Sequence, residues 1–392
     1  MTRAVIVDAV RTASGRGKPG GGLSEVHPAA LLAQTIQQLL SRSDLDPELV
    51  DDVLAGCVVQ VGDQALNIAR TAALTAGLPE EVAGTTIDRQ CGSSQQATHF
   101  AAQAVMAGTY DVVIACGVES MSRVPMGTNV QKGDPFAPLS DRYPGGMPHQ
   151  GIGAELMATR WGLDRTALDA FASRSHRRAS ESSASGAFES EIVPITLPDG
   201  RKHRIDETVR QGTTVEKLAE LRSAFREEAF SERFPEIEWM ITAGNSSPLT
   251  DGASAVLIMS EDRASELGLA PRAAIHTMAI TGSDPTVMLS GVIPATRRVL
   301  ARSGLGIDDI DAFEVNEAFA SVPLAWAKEF GVHLDKVNPR GGAISLGHPL
   351  GSSGTRLLTT MLAHLESSGG RFGLQTMCEG GGMANATIIE RL

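Results

Sequence analysis

The chain has 392 residues, too many for one ordinary core, and its 41 glycines, 3 tryptophans, 42% hydrophobic and 20% charged residues are typical of compact α/β enzymes. A formal net charge of -12 without a basic run argues against a nucleic-acid-binding protein. The sequence has no apolar run as long as a membrane span and no CxxC pair among its four cysteines. We therefore expect a cytoplasmic protein with free thiols, no membrane contact and no metal site.

Strands and helices alternate over the first 120 residues. Apolar runs predict strands at residues 3–10, 51–59, 84–91 and 111–120, and helical periodicity predicts helices at residues 27–43, 64–78 and 93–109. The run at 111–120 is rich in β-branched residues, as expected for a strand covered on both faces. This alternation is typical of βαβ units.

A polar segment interrupts the pattern. From about residue 120 the chain is rich in Pro and Gly, helical stretches and a polar strand pair near 190–206 follow, and an apolar strand returns at 251–260. We therefore predict three units, which are a first half of residues 1–119 plus 250–270, an inserted loop domain of residues 120–249, and a second half of residues 271–392.

The two halves repeat one pattern. Residues 91–121 and 347–383 each contain a Gly-Ser-Ser step that starts a helix, a Gly-containing turn, and an apolar strand that ends in a cysteine, Cys116 or Cys378. We take these two cysteines as equivalent positions. Two related halves predict a pseudo-twofold axis that brings the two Gly-Ser-Ser loops together.

Six motifs, spread in order over nearly the whole chain, resemble the thiolases: "VIVDAVRTASG", "DRQCGSSQQA", "TAGNSSPLTDGASAV", "VNEAFA", "NPRGGAISLGHPLGSSGTR" and "CEGGGMANATIIERL". The resemblance implies an α/β fold of two βαβαβαββ halves in an α-β-α-β-α layered body with an inserted loop domain. It also implies an acyltransferase that uses coenzyme A (CoA) as co-substrate, needs no other cofactor and forms a homodimer or homotetramer.

Cys91 is the candidate nucleophile. It directly precedes a helix, whose free N–H groups and positive dipole end favour a thiolate. The small residues 92–94 leave the approach to its sulfur open, as a nucleophile elbow requires. A thiolate that attacks a thioester or β-ketothioester carbonyl gives an acyl-enzyme. The alternative is a buried core thiol, the interpretation that we give to Cys57 and Cys116.

The resemblance assigns the rest of the catalytic centre. His348, in a Gly/Pro-framed turn before the repeated helix, activates Cys91, and Cys378 moves the proton on the acetyl carbon. The N–H groups of Cys91 and Gly380 form one oxyanion hole, and Asn316 holds a water beside His348 in the other. The alternatives are an ordinary loop histidine, a strand-end cysteine and, for Asn316, a helix cap.

Five residues are assigned to the substrate by the same resemblance. Ser247 contacts the pantetheine of CoA, and Arg210 lies near its nucleotide end. His149 and Met288 border the acyl pocket, and Phe319 belongs to the substrate-binding set. Each of these five residues has a structural role as its alternative.

Three departures from the family pattern surround the expected acyl pocket. The segment 226–241 is longer than the usual turn, Arg340 stands where an asparagine is common, and Leu289 and Val292 replace a small glycine and a proline. The charge of Arg340 has no explanation in the sequence.

Three functions fit these residues. The first is thiolytic cleavage of a 3-ketoacyl-CoA by CoA in the catabolism of lipids or steroid-derived acids, and the second is acetoacetyl-CoA formation by an acetyl-CoA acetyltransferase. The third is a non-catalytic acyl-CoA or sterol carrier on the same scaffold. The presence of two thiols at the expected reacting centre, Cys91 and Cys378, favours an enzyme over a carrier.

Overall fold

The computed structural model describes residues 2–392. Its strands are β1 (Ala4–Thr12), β2 (Gly15–Arg16), β3 (Asp52–Gly56), β4 (Ala83–Ile87), β5 (Val112–Ser120), β6 (Ile192–Val193), β7 (Ile195–Thr196), β8 (Lys202–His203), β9 (Thr250–Ser260), β10 (Ala273–Gly282), β11 (Ala312–Val315), β12 (Phe372–Glu379) and β13 (Met383–Arg391). Its α-helices are α1 (Pro28–Ser43), α2 (Ile68–Ala76), α3 (Ser93–Met106), α4 (Gln150–Arg160), α5 (Arg165–Ala184), α6 (Val215–Ala219), α7 (Glu228–Arg233), α8 (Glu261–Glu266), α9 (Val292–Ser303), α10 (Ser321–Phe330), α11 (Ala343–Leu346) and α12 (Ser353–Ser368).

Eleven strands form one mixed sheet. The order is β11-β12-β13-β10-β1-β9-β5-β3-β4, with β2 beside β9 and β6 beside β1, while β7 and β8 pair separately. The two halves of the chain meet where β1 and β10 pair antiparallel. Both of these strands bulge at matching places, between Ile6 and Asp8 and between Ile275 and Thr277. The sheet therefore has the pseudo-twofold relation that the sequence repeat predicts.

Alternate residues of each strand face different layers. Val5 of β1 and Ile114 of β5 pack with α1 and α2, whereas their neighbours Ile6 and Val113 pack with α3 and α12. The helices α9 and α10 cover the outer face of the second half. Because α3 and α12 lie between the two halves of the sheet, the predicted α-β-α-β-α order of layers is confirmed.

The strand pairing also identifies equivalent positions in the two halves. Counted from the matched bulges, Glu119 of β5 corresponds to Glu379 of β12. The equivalence of Cys116 and Cys378 that the sequence suggests is wrong, because the counterpart of Cys378 is Val118. The apolar strands look alike in sequence, and only the pairing with β9 and β13 fixes their register.

The segment 226–241 packs against α4. Ile237 forms a buried cluster with Ile152 and Leu156 of α4, and the aromatic rings of this segment lie against it. The Glu155 carboxylate accepts the N–H groups of Met240 and Ile241 at 2.8 Å each. The longer segment thus adds an apolar wall to α4 rather than a free loop.

The charge of Arg340 belongs to a buried network behind the second half. Its guanidinium donates to the carbonyl oxygens of Ala187 and Ala363, both at 2.8 Å, and lies 3.5 Å from the Glu191 carboxylate. Glu191 also accepts from the fully buried Arg11 at 2.6 Å. Arg340 therefore joins the inserted region to α12, a structural role that an isolated sequence motif could not indicate.

Candidate active site

Cys91 lies in a sharp turn between β4 and α3. Gln90, just before it, has φ +49°, a left-handed conformation that is uncommon for a residue with a side chain. Asp88 holds this turn by accepting the Gln90 N–H at 2.7 Å. Gly92 then caps α3, and the Cys91 side chain is 2% exposed. The turn therefore fixes the sulfur next to the N-terminus of a 14-residue helix.

Burial governs the acidity of the Cys91 thiol. Burial, with a smaller contribution from the nearby Glu379 side chain, raises the pKa of Cys91 to about 12, while the Cys91 N–H and the Gln150 side chain oppose this shift. Cys91 is accordingly a neutral thiol at pH 7 in this structure. It needs a base to become a nucleophile.

His348 stands in the turn that follows α11 and is 4% exposed. Its backbone N–H donates to Thr250 Oγ1 at 3.0 Å, and its Nδ1 lies 2.6 Å from Ser353 Oγ at the start of α12. Burial and then the positive charge of Arg356 lower the pKa of His348 to about 3. The imidazole is therefore neutral at pH 7, as a general base must be.

Asn316 connects His348 to the second buried thiol. Its Nδ2 lies 3.4 Å from His348 Nε2, and its side chain is close enough to Cys378 to favour the thiolate, which lowers the pKa of that thiol. The Asn316 Oδ1 atom is buried and has no hydrogen-bond partner among residues 2–392. Helix α10 begins at Ser321 with Ala320 as its N-cap, so Asn316 is not a helix cap. An unpaired amide oxygen in a polar centre is free to hold a water or a substrate atom.

Cys378 lies on β12 and is fully buried. Burial raises its pKa well above the usual value, and the nearby ionisable groups of Cys91 and Glu379 add to the shift, so both thiols lie in one electrostatic environment. Cys57 and Cys116 lie instead in the apolar layer beside α1 and α2. The four residues Cys91, His348, Asn316 and Cys378 thus meet at one place, although they come from distant parts of the sequence.

Gly380 follows β12 directly and faces the Cys91 turn. A Cβ atom at this position would lie 2.8 Å from Gln90 Oε1, so the glycine lets this strand end approach the turn closely. The adjacent residue Glu379 comes equally close to Gly92, where a Cβ atom would lie 1.9 Å from Glu379 Oε1. Each glycine therefore makes room for a side-chain oxygen of the other segment, Gln90 Oε1 beside Gly380 and Glu379 Oε1 beside Gly92.

A surface cavity of about 520 Å³ lies next to this centre. Arg16, Lys18 and Arg210 supply three positive charges to its wall, against one carboxylate from Glu207. Ser247, which is half-buried, precedes the wall residues Pro248 and Leu249. Thr250 follows the wall residue Leu249 and accepts the backbone N–H of His348, so the cavity wall and this bond to the catalytic turn are one residue apart along the chain.

The remaining predicted residues form an aromatic and apolar wall. His149 caps α4 through its Nδ1 atom, and its ring centroid lies 5.6 Å from that of Phe225, which lies 5.8 Å from Phe319. Met288 is buried in the same cluster as Phe319. Phe225 therefore links His149 to Phe319, and Met288 and Phe319 belong to one buried cluster.

Leu289 and Val292 lie in this wall as well. Both are buried beside Met288, where a 3₁₀ turn at Leu289–Gly291 leads into α9. Met288 itself has φ +57°, a strained conformation for a residue with a side chain. Leu289 and Val292, which replace the usual glycine and proline, therefore form part of the apolar surface that leads into α9.

Sequence reasoning missed four residues of this region. The sequence pattern indicates only a helix start at Ser353 and assigns no role to Glu379, which follows the predicted strand end at Cys378. Arg16 and Lys18 lie in a glycine-rich loop of the first half, where alternating glycine and basic residues were the available signal. Within residues 2–392 no three side chains of His, Cys, Asp or Glu cluster as metal ligands, and no helix is long and apolar enough to cross a membrane.

Comparison with known proteins accounts for the whole chain. The model of the thiolase N-terminal domain matches residues 4–262, and that of the thiolase C-terminal domain matches residues 269–391. The chain is 49% identical over 402 residues to the steroid 3-ketoacyl-CoA thiolase FadA6 of Mycobacterium tuberculosis, covering 100% of this chain and 95% of that protein. It is 44% identical over 399 residues to a 3-ketoacyl-CoA thiolase of Aliivibrio salmonicida, with both chains covered completely.

A solved structure agrees with these relatives. The crystal structure of the Bacillus anthracis acetyl-CoA acetyltransferase matches with a TM-score of 0.89 and 37% sequence identity. The match covers 100% of this chain and 99% of that chain. Sequence and fold therefore point to one family over the full length.

Proposed function

The chain belongs to the thiolase family, and from this membership and the geometry of the centre we propose that it cleaves 3-ketoacyl-CoA with CoA, giving acetyl-CoA and a shortened acyl-CoA. The observation that carries the proposal is the meeting of two buried thiols, Cys91 and Cys378, with His348 and Asn316. A carrier protein would have no use for two thiols and a neutral imidazole in one buried centre.

The first half-reaction forms an acyl-enzyme on Cys91. The Cys91 thiol gives its proton to His348 Nε2, and its sulfur attacks the 3-keto carbon of the substrate. The bond between C2 and C3 then breaks, and the acyl group stays on Cys91. The leaving acetyl-CoA enolate takes a proton from the Cys378 thiol and departs as acetyl-CoA.

The second half-reaction returns the enzyme to its starting state. The thiol of incoming CoA gives its proton to the Cys378 thiolate, and the CoA sulfur attacks the acyl group on Cys91. The Cys91 thiolate leaves and recovers a proton from the His348 imidazolium. Protons and thiols are thus restored in each cycle, and the kinetics are ping-pong.

Developing negative charge on the substrate oxygens requires hydrogen-bond donors. We assign one oxyanion hole to the N–H groups of Cys91 and Gly380, because glycine lets these two segments approach each other. The other is assigned to His348 and a water held by Asn316, whose Oδ1 is unpaired in the described structure. A buried centre disfavours negative charge, so these donors lower the barrier to the steps in which the substrate oxygens become negative.

We place CoA along the cavity that contains Arg210. Its three basic side chains suit phosphate groups, and Ser247 lies on the path from this wall to His348. The acyl group extends toward His149, Met288 and Phe319. The aromatic neighbours of His149 give an apolar surface, which suits a longer or bulkier acyl chain than acetyl.

Formation of acetoacetyl-CoA is the second candidate. The Bacillus anthracis structure that matches this fold is titled an acetyl-CoA acetyltransferase, and both reactions use the same groups. The boundaries of the inserted domain, the homodimer or homotetramer and the cytoplasmic location stay predictions.

Substrate profiling separates the candidates. Purified protein is incubated with CoA and 3-ketoacyl-CoAs of graded length and bulk, and acetyl-CoA release is quantified by mass spectrometry. Cleavage of medium, long or steroid-derived substrates supports the proposal. Activity confined to acetoacetyl-CoA would favour the acetyltransferase, and tight acyl-CoA binding without any cleavage would favour a carrier.

A further inference from the structure

Glu379 is a buried carboxyl group for which the proposed mechanism has no use. It is 0% exposed, and neither of its oxygens has a hydrogen-bond partner in the part of the chain that the structure describes. Burying a carboxyl group without a partner is costly. Such a group at a catalytic centre calls for a functional reason.

The equivalent glutamate in the other half shows what a structural role looks like. The Glu119 carboxylate accepts the N–H groups of Val58, Val59 and Gly351 at 2.9 to 3.1 Å and the Gln64 amide at 2.7 Å. These four donors satisfy the carboxyl oxygens and tie loops of the first half to the turn at Gly351 in the second half. Glu379 stands at the corresponding place in β12 and has none of these bonds.

Glu379 lies instead at the N-terminus of α3. Its Oε1 occupies the space that a side chain on Gly92, the N-cap of α3, would need. Cys91 lies one residue earlier, so a carboxyl group and a thiol share one helix end. A helix N-terminus carries the equivalent of about half a positive charge, which favours one anion. Two anions at the same helix end would repel each other.

We propose that Glu379 is a positioning residue whose uncharged side chain shares the N-terminus of α3 with Cys91, so that the Cys91 thiol becomes harder to ionise once Glu379 loses its proton. The inference rests on the proposed function for its catalytic meaning, since it concerns the proposed nucleophile. Above the pH at which Glu379 loses its proton, further ionisation of Cys91 is suppressed.

The charged surroundings fit this coupling. The titratable groups that face Glu379 are Asp88 and Arg89 in the turn before α3, Cys91, and Cys378 on its own strand. Burial raises the pKa of Glu379 well above its usual value, Arg89 opposes this shift and Asp88 adds to it. Arg89 forms no ion pair with Glu379 within 4.0 Å in residues 2–392, so the neutral acid is the form that this site favours.

The test uses alkylation of Cys91 by iodoacetamide, followed by peptide mass spectrometry from pH 6 to pH 10. The reaction reports the thiolate and needs no turnover, so it stays informative even where the proposed function fails. The wild-type protein should show a break, where the rate of Cys91 alkylation rises less steeply with pH once Glu379 ionises. Glu379→Gln should react at the wild-type rate at the acid end, lack the break, and react about tenfold faster at the alkaline end, the effect of about one pKa unit.

Asp88→Asn is the matched control, because it removes a carboxylate from the same turn. It should keep the break and move it to lower pH, since the charge of Asp88 raises the pKa of Glu379. Identical profiles for the wild type and Glu379→Gln would overturn the proposal. A wild-type profile without a break would overturn it as well, and this readout decides the question even where Glu379→Gln does not fold.

Discussion

His348 Nδ1 lies 2.6 Å from Ser353 Oγ, and the same hydroxyl lies 2.9 Å from the carbonyl oxygen of Pro349. A hydroxyl has one proton, and a carbonyl oxygen can only accept. Ser353 therefore donates to Pro349 and accepts from His348 Nδ1–H. This assignment leaves the Nε2 lone pair of His348 facing Asn316, 3.4 Å away, where the proposed base must act.

Removing the Ser353 hydroxyl should weaken the base without weakening substrate binding. In Ser353→Ala, Nδ1–H loses its acceptor, the imidazole is free to adopt the other tautomer, and we expect kcat to fall about tenfold or more with KM little changed. Steady-state kinetics measure both constants. Ser352→Ala is the control, because that buried hydroxyl bonds to Ser254 rather than to His348. An equal loss of kcat in both variants would count against the tautomer role.

Cys378 should be needed for carbon–carbon chemistry but not for acylation. In Cys378→Ala, incubation with a simple acyl-CoA should still add the acyl mass to Cys91, whereas cleavage of 3-ketoacyl-CoA should fall by about 100-fold or more. Intact-protein mass spectrometry measures the acylation of Cys91, and acetyl-CoA release measures the cleavage. Cys116→Ala removes an equally buried thiol outside the centre and should keep turnover. Normal cleavage by Cys378→Ala would remove Cys378 from the mechanism.

The buried ion pair between Arg11 and Asp206 should carry stability. Arg11 is fully buried, and its guanidinium donates to both Asp206 oxygens, at 2.9 Å and 3.1 Å. Asp206→Ala leaves the buried Arg11 charge with Glu191 as its remaining carboxylate partner and should lower the free energy of unfolding by about 3 kcal/mol or more. Urea unfolding measures the change. Asp199→Ala, which breaks an exposed pair with Arg201, should leave the midpoint unchanged, and equal effects would refute the argument.

Buried histidines should make the fold sensitive to acid. Burial, with a smaller contribution from Arg89, lowers the pKa of His99 to about 3, whereas the unfolded chain has a histidine pKa of about 6.5. Between pH 6.5 and pH 3 the unfolded state binds a proton that the native state does not, so stability falls as pH falls through this window.

A single substitution tests this window. His99→Gln can still hydrogen-bond to Thr387 and removes the proton uptake at this site. The slope of unfolding free energy against pH should decrease by up to about 1.4 kcal/mol per pH unit below pH 6.5 and stay the same above it. Urea unfolding at pH 7 and pH 5 measures the slope. An unchanged slope would show that His99 is protonated in the native state.

The sequence predicted the layered α/β fold and the family because both depend on patterns of neighbouring residues. Strand and helix periods repeat in order, and Cys91 and His348 each stand in a turn before a helix that the repeat duplicates. The equivalence of Cys116 and Cys378 failed because an apolar strand carries no register of its own. Only pairing with neighbouring strands fixes which residue faces which layer.

The residues that were missed act through contacts that no local pattern records. Ser353 looks like a helix start, and its bond to His348 appears only when the turn is folded. Glu379 follows the predicted strand end at Cys378, and its lack of hydrogen-bond partners can be seen only in three dimensions. The sequence gives no reason for the charge of Arg340 because the carbonyl oxygens that it binds, those of Ala187 and Ala363, lie far away in the sequence.

The central claim is that Cys91 carries the acyl group during thiolysis, and rapid-quench intact-protein mass spectrometry tests it most directly. Wild-type protein mixed with a 3-ketoacyl-CoA in the absence of CoA should gain the mass of the shortened acyl group on the peptide containing Cys91, release one equivalent of acetyl-CoA, and lose the label when CoA is added. Cys91→Ser should fold and show no label. Labelling at another residue, or substantial thiolysis by Cys91→Ser, would contradict the mechanism.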